Sequence, residues 1–283
     1  MVTVHKELFK KYTRSLTPVP TGRQPAGHLD QAVKCILFDV YGTLFISDSG
    51  DIGIARAKSK KHREIQNLIE KYHVNAASDS LLQTLYDCIE KKHLLMRREG
   101  IDFPEIEIDA IWMEILNTKD RSTARQFALE FELIVNPVYP MPHLKDVLES
   151  LKKRQIPMGM ISNAQFHTLY LFDWFLNGNP QDLGFSVELL FLSYRLKHAK
   201  PSGRLFELAA EKLKHMGIPG SSVLYVGNDM RNDIMPATKT GFQTALFAGD
   251  KRSLRLREDD PDCKDITPDI VITDLSQLLE YIK

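Results

Sequence analysis

Short apolar runs, most of them ending at a polar residue, constrain the fold of this chain more than any other feature. They are Lys34–Val40, Met158–Ser162, Val187–Ser193, Val223–Asp229, Gln243–Phe247 and Asp269–Asp274. Runs of this length and composition are typical of parallel strands that are buried on both faces. Helical patterns separate most of them; one has apolar residues at Leu144, Val147, Leu148 and Leu151. The alternation predicts an α/β fold with a doubly wound parallel sheet.

One long segment breaks this alternation. From about Ile52 to Ile134 the apolar residues recur at helical spacing and no convincing strand is present. We therefore predict a helical second domain over residues 49–139, inserted into a core domain of residues 31–48 and 140–283. Residues 1–30 are predicted to form an arm or linker. Within it, Val2–Leu16 has the pattern of a short amphipathic helix, and Thr17–His28 is rich in proline and glycine.

Composition and charge exclude several classes of protein. Lys plus Arg and Asp plus Glu are both 37, so the net charge is zero. This argues against a nucleic-acid or membrane partner that is recognised through net charge. The three cysteines lie far apart without a CxxC pair, which excludes a disulfide framework and a cysteine zinc site. Without an apolar signal-like or membrane-spanning stretch, we expect a cytoplasmic protein. The sequence does not predict the oligomeric state.

Polar residues at the ends of the predicted strands mark the candidate site, because open parallel sheets bind ligands at that edge. Asp39 directly follows an apolar run, where an acid is costly to bury without a function. Thr43, in the turn after it, can donate a hydrogen bond. Ser162 and Asn163 follow the second run and can hold an anion oxygen. Taken singly, both motifs are also compatible with ordinary turns or helix caps.

Two later motifs add charge to this edge. Lys200 precedes a helix that we expect to begin near Pro201, whose N-terminus would add partial positive charge. Asn228, Asp229 and Asp233 gather oxygen ligands that suit a hard cation such as Mg²⁺. A surface lysine and an acidic helix N-terminus are the simpler interpretations of each motif alone.

The order and spacing of the four motifs resemble those of the haloacid dehalogenase superfamily of hydrolases, from about Lys34 to the C-terminus. The resemblance implies a Rossmann-like core with a helical cap between the first two motifs. It also implies that Asp39 is a nucleophile that forms a covalent aspartyl intermediate. Thr43 and Ser162 would lie near the transferred group, Ser162 as a donor to a phosphate oxygen, and Lys200 would neutralise the nucleophile and the developing charge. Magnesium would be held by Asp39, the main-chain carbonyl of Tyr41, Asn228, Asp229 and Asp233.

Two departures from the family pattern make the functional prediction less direct. Phosphatases of this family usually carry a second aspartate, a general acid and base, where this chain has Tyr41. Tyrosine there is similar to the haloacid dehalogenases, which need no metal but lack the acidic last motif. A phenol is a poor base at neutral pH, and losing acid–base help slows a reaction about 10²–10⁴-fold. Asn228 replaces the usual first aspartate of the metal motif, so metal affinity would be lower or would rest on Asp229.

We weigh the metal motif more heavily, because Mg²⁺ offsets repulsion between a carboxylate and a phosphoryl group. The leading prediction is a magnesium-dependent phosphatase of a small, anionic phosphorylated metabolite. A dehalogenase-like hydrolase acting at carbon and a catalytically weak binding or regulatory protein remain alternatives. Specificity would come from the cap and from the loop Phe45–Ile54. A basic set could help collect the substrate or simply form a solvated helix face: Arg56, Lys58, Lys60, Lys61 and Arg63.

Overall fold

The computed structural model describes residues 2–48 and 61–282. The seven strands of its main sheet are β1 (Ala26–Gly27), β2 (Cys35–Phe38), β5 (Met158–Ser162), β6 (Phe185–Leu192), β7 (Val223–Gly227), β8 (Gln243–Phe247) and β9 (Ile270–Ile272). Their order across the sheet is β1-β9-β8-β7-β2-β5-β6, and only the β1–β9 pair is antiparallel. All six apolar runs of the sequence form strands, which confirms the predicted doubly wound parallel sheet. A separate two-stranded ribbon consists of β3 (Phe45–Ser47) and β4 (Val138–Pro140).

Helices cover both faces of the main sheet. In β2, Ile36 and Phe38 face one layer, which includes Leu148, whereas Cys35 and Leu37 face the other. The helices of the described chain are α1 (Val2–Tyr12), α2 (His62–Lys71), α3 (Ser78–Arg98), α4 (Ile108–Ile115), α5 (Arg121–Val135), α6 (Leu144–Lys153), α7 (Tyr170–Leu176), α8 (Ser193–Leu196), α9 (Arg204–His215), α10 (Met235–Lys239) and α11 (Leu278–Tyr281). Burial on both faces explains why β2, β5 and β7 are continuous, almost wholly apolar runs.

Helices α2 to α5 form a helical insertion with its own apolar cluster, in which Trp112 packs against Phe127 and Phe131. The β3–β4 ribbon joins this insertion to the core. The sequence did not reveal the ribbon, since strands of three residues are too short to show a periodicity. The first predicted domain boundary, at residues 48 and 49, follows β3, and the second, at residues 139 and 140, falls inside β4. The division into domains stays a prediction.

Several sequence predictions fall on or near the part of the chain between β3 and α2. The loop predicted over Phe45–Ile54 begins as strand β3, and its second half lies outside the described residues. Arg56, Lys58 and Lys60 also lie outside them. Of the remaining basic residues, Lys61 donates to the Val135 carbonyl at 3.0 Å, and Arg63 is exposed.

The N-terminal segment is attached to the rest of the protein rather than being a free linker. Helix α1 ends at Tyr12, earlier than predicted, and Phe9 stacks on Trp174 with ring centroids 4.6 Å apart. Further along, the Val19 amide donates to Asp250 at 3.0 Å, and β1 pairs with β9 as the outermost strand of the sheet. Within residues 2–48 and 61–282, no helix combines the length and apolar character needed to cross a membrane.

Candidate active site

Asp39 lies at the centre of the site because β2 is flanked by β5 and β7. Its backbone amide still belongs to the sheet and donates to the Val226 carbonyl at 2.9 Å. The side chain is buried, and its Oδ1 accepts hydrogen bonds from Ser162 Oγ at 2.9 Å and Lys200 Nζ at 2.7 Å. Among the described residues, none donates a hydrogen bond to Asp39 Oδ2. One carboxylate oxygen is thus fixed by two donors while the other keeps its lone pairs.

Lys200 bridges two buried carboxylates. Its ammonium donates to Asp39 and to Asp233 Oδ1, and it lies 3.2 Å from the Tyr225 hydroxyl. Burial acts to lower the pKa of Lys200, but the charges of Asp233 and Asp39 outweigh it and raise that pKa. The ammonium is therefore a permanent positive charge at the base of the site.

Two neighbouring segments hold Lys200 in place. Asn163 Oδ1 accepts from the Lys200 backbone amide at 2.7 Å, and Asn163 Nδ2 donates to the Lys200 carbonyl at 3.1 Å. Asn163 thus positions the lysine, although it was predicted to bind substrate. The helix expected to begin near Pro201 is α9, which begins three residues later, at Arg204. The intervening turn is closed by the Ser202 amide, which donates to the Ala199 carbonyl.

The last motif separates into three roles. Asp233 Oδ2 accepts the backbone amides of Asn228 and Asp229 at 3.0 Å each, so this carboxylate organises its own loop. Burial raises the pKa of Asp233 to about 6, against the opposing effect of Lys200. Asn228 Oδ1 accepts from Thr43 Oγ1 at 3.1 Å, which links the first and last motifs.

Asp229 faces a different partner from the one that we expected. Its carboxylate forms a two-point ion pair with Arg257, at 2.6 Å to Nη2 and 3.1 Å to Nε. It also accepts the backbone amides of Arg231 and Asn232 and so caps a π-helical turn over Met230–Ile234. Because these donors occupy both carboxylate oxygens, Asp229 stabilises its own loop and leaves no free oxygen for a cation.

The Tyr41 hydroxyl lies 3.0 Å from Thr168 Oγ1. Burial, followed by the negative charge of Glu132, raises the pKa of Tyr41 above its ordinary value. The phenol therefore stays neutral at physiological pH and cannot act as a base.

Only some of the predicted magnesium ligands are available to bind a cation. The described residues contain no group of three or more His, Cys, Asp or Glu side chains that could hold a metal ion. Asp233 is surrounded by donors and Asp229 is paired with Arg257. The side-chain oxygens that remain suitable are Asp39 Oδ2 and Asn228 Oδ1. The latter accepts one hydrogen bond, from Thr43, and keeps a second lone pair. A hard cation here would meet one carboxylate instead of three, which predicts weak binding.

A cavity of about 310 Å³ separates the strand ends from the helical insertion. Such a volume suits a small molecule. Asp39 and Lys200 lie on its core side. Its opposite wall is largely apolar and includes Leu85, Ile89, Trp112, Phe131 and Val135. Polar side chains that the sequence did not single out also line it: His93, Glu105, Glu132 and Arg255. Of these, only His93 could have been found from the sequence, because it continues the four-residue helical spacing of Leu85 and Ile89.

The fold and this arrangement define a hydrolase with an aspartate at the end of the central strand, and comparison identifies its family. A model of the haloacid dehalogenase-like hydrolase family matches residues 33–241. The chain belongs to this family.

Similar proteins carry different activities. The pyrophosphatase PpaX of Oceanobacillus iheyensis is 29% identical over 147 residues, which are 52% of this chain and 62% of that relative. Among solved structures, a 2-haloacid dehalogenase from Pseudomonas syringae pv. Tomato DC3000 has a TM-score of 0.54 and 21% identity, over 88% of this chain and 97% of that one. A HAD phosphatase from Thermococcus onnurineus has a TM-score of 0.51 and 14% identity, over 88% of this chain and 97% of that one. At these identities the structures show the fold alone.

Proposed function

We propose that this hydrolase is a phosphatase of a small phosphorylated metabolite and that Asp39 is its nucleophile. The observation that carries the proposal is the asymmetric environment of Asp39. Lys200 and Ser162 hold Oδ1, while Oδ2 accepts no hydrogen bond from a described residue, at the floor of a substrate-sized cavity. The similarity to a pyrophosphatase supports phosphorus as the reacting atom.

In the proposed reaction, Asp39 Oδ2 attacks phosphorus and the bond to the leaving oxygen breaks. Lys200 holds Asp39 Oδ1 by its hydrogen bond and balances the charge that builds up on the phosphoryl oxygens. Ser162 Oγ, which now donates to Asp39, can turn its hydrogen bond to one of those oxygens. Water then hydrolyses the aspartyl phosphate, which releases phosphate and regenerates Asp39.

Magnesium belongs to this proposal as the cofactor. Asp39 and Asn228, with the main-chain carbonyl of Tyr41, would hold it. When bound, it would supply positive charge that offsets the repulsion between Asp39 and the phosphoryl group. We further infer that the helical insertion acts as a cap, because its apolar wall closes the cavity and excludes water.

A dehalogenase-like reaction at carbon is the second candidate, and a specific observation favours it. Tyr41 replaces the carboxyl of the family's phosphatases, and the Lys200 ammonium already pairs with both Asp39 and Asp233 without a metal. In that case Asp39 would displace halide from a 2-haloacid, and water would hydrolyse the resulting ester.

A substrate screen separates these functions. The purified protein should be assayed against phosphate esters and 2-haloacids, each with Mg²⁺ and with EDTA. The proposal expects phosphate release that requires Mg²⁺ and is lost in Asp39→Asn, while this near-isosteric variant keeps its fold. Halide release in EDTA would instead establish the second candidate. Wild-type-like turnover by Asp39→Asn would exclude a covalent intermediate on Asp39. No turnover of any compound would leave the binding or regulatory function as the explanation.

A further inference from the structure

The proposed phosphatase lacks a proton donor in the usual place. A departing alkoxide needs a proton, and general acid catalysis supplies it at a gain of about 10²–10⁴-fold. Tyr41 cannot do this efficiently, because its pKa is raised and its hydroxyl pairs with Thr168. Apart from Asp39 and the motif around Asp233, two described carboxyl side chains line the cavity, Glu105 and Glu132.

Glu105 lies in the loop between α3 and α4, and this loop is hydrogen bonded to the core. The Glu105 amide donates to the Lys197 carbonyl at 3.1 Å, and the Phe103 carbonyl accepts from the Ala199 amide at 2.8 Å. These bonds attach the loop to the segment that immediately precedes Lys200. The helical insertion therefore presents Glu105 next to the catalytic lysine's own segment.

The carboxyl group of Glu105 is fixed by three neutral donors, which lie in the loop after Ser162, at the start of α8 and at the next residue of its own loop. Oε2 accepts from Ser193 Oγ at 2.8 Å, and Oε1 accepts from Gln165 Nε2 at 3.2 Å and from the Ile106 amide at 3.0 Å. Gln165 lies two residues after Asn163. The carboxyl group is thus held beside the loop that carries Ser162, at the edge of the cavity that contains Asp39.

The surroundings of Glu105 keep it protonatable near neutral pH. Burial raises the pKa of Glu105 to about 7, and the hydrogen bonds from Ser193 and Ile106 only partly oppose this. Two titratable groups lie nearby: Asp102, in the same loop, and His198, in the segment before Lys200. Asp102 Oδ1 and His198 Nδ1 are 3.6 Å apart. His93, on α3, and Lys200, on the floor, line the same cavity. A carboxyl group poised in this way can both give and take a proton.

We propose that Glu105 is the general acid and base of this enzyme, in place of the carboxyl that Tyr41 lacks. The inference rests on the proposed phosphatase function. As the bond from phosphorus to the leaving oxygen breaks, the Glu105 proton passes to that oxygen and an alcohol departs. Glu105, now a carboxylate, takes a proton from the water that attacks the aspartyl phosphate. Phosphate is released, Asp39 is regenerated and Glu105 is protonated again.

The test compares an alkyl phosphate with 4-nitrophenyl phosphate, whose leaving group departs without a proton. For Glu105→Gln we expect kcat/KM to fall about 10²–10⁴-fold on the alkyl ester and less than roughly tenfold on the aryl ester. Glu132→Gln is the matched control, since Glu132 lines the same cavity. It should leave the ratio of the two esters unchanged. Adding Tyr41→Asp to Glu105→Gln should restore alkyl turnover preferentially.

The pH profile provides a readout that a purely structural role would not change. Wild-type kcat/KM on the alkyl ester should decline as pH rises through about 7, because only protonated Glu105 donates. Glu105→Gln should lose that decline. An unchanged ester ratio and an unchanged profile in Glu105→Gln, with an active wild type, would overturn this inference alone. A wild type that hydrolyses neither ester would overturn the proposed function and this inference together.

Discussion

Replacing Lys200 with methionine removes the cation that separates Asp39 from Asp233. The three residues are almost fully buried, with relative exposures of 6% for Lys200, 6% for Asp39 and 1% for Asp233. Methionine fills most of the space of the lysine stem but carries no charge. Two carboxylates would then share a poorly solvated site without a counter-ion, which is costly unless one of them is protonated.

The size of the effect follows from burial and depends on pH. Removing one partner of a buried ion pair typically destabilises a protein by about 3–5 kcal/mol. The pKa of Asp233 is already raised to about 6, and losing Lys200 removes a group that lowers it. A carboxyl whose pKa is raised by folding stabilises the folded state at acid pH and loses that contribution as pH rises through the folded value. The deficit of Lys200→Met should therefore be large at pH 8 and smaller at pH 5.5.

Urea unfolding in EDTA at these two pH values measures this effect. We expect Lys200→Met to be less stable than the wild type by about 3–5 kcal/mol at pH 8, with a smaller difference at pH 5.5. The double variant Lys200→Met/Asp233→Asn, which removes one of the two carboxylates, should recover part of the loss at pH 8. A deficit of equal size at both pH values, or no deficit at pH 8, would refute the reasoning that Lys200 balances buried charge.

Two further predictions concern the metal motif. Asn228→Asp should lower the Mg²⁺ concentration at half-maximal activity roughly tenfold, because one added charge about 4 Å from the ion is worth about 1–4 kcal/mol. A magnesium titration of activity measures this concentration. An unchanged midpoint would mean that residue 228 does not face the ion. Asp229→Asn should leave that midpoint unchanged but lower the melting temperature, because Arg257 loses its charged partner; a midpoint that rises sharply would return Asp229 to the metal shell.

The sequence by itself determined the core of this protein. Strands buried on both faces must be apolar along their length, so β2, β5 and β7 were legible as continuous runs. A polar residue at the end of such a run must lie at the edge of the sheet, so the runs alone predict that Asp39, Ser162 and Asp229 lie along one edge. The pairing of Lys200 with Asp39 followed from the family motifs and is present in the structure.

Only the tertiary structure decided which partner each polar side chain takes. Asp229 and Asp233 lie four residues apart in one motif, yet one pairs with Arg257 and the other with Lys200. Likewise, Glu105 is held by Gln165 and Ser193, which are 60 and 88 residues away. Local patterns cannot encode these choices. Hydrophobic periodicity reports which face of an element is buried, whereas hydrogen-bond partners depend on how distant loops meet once that burial has occurred.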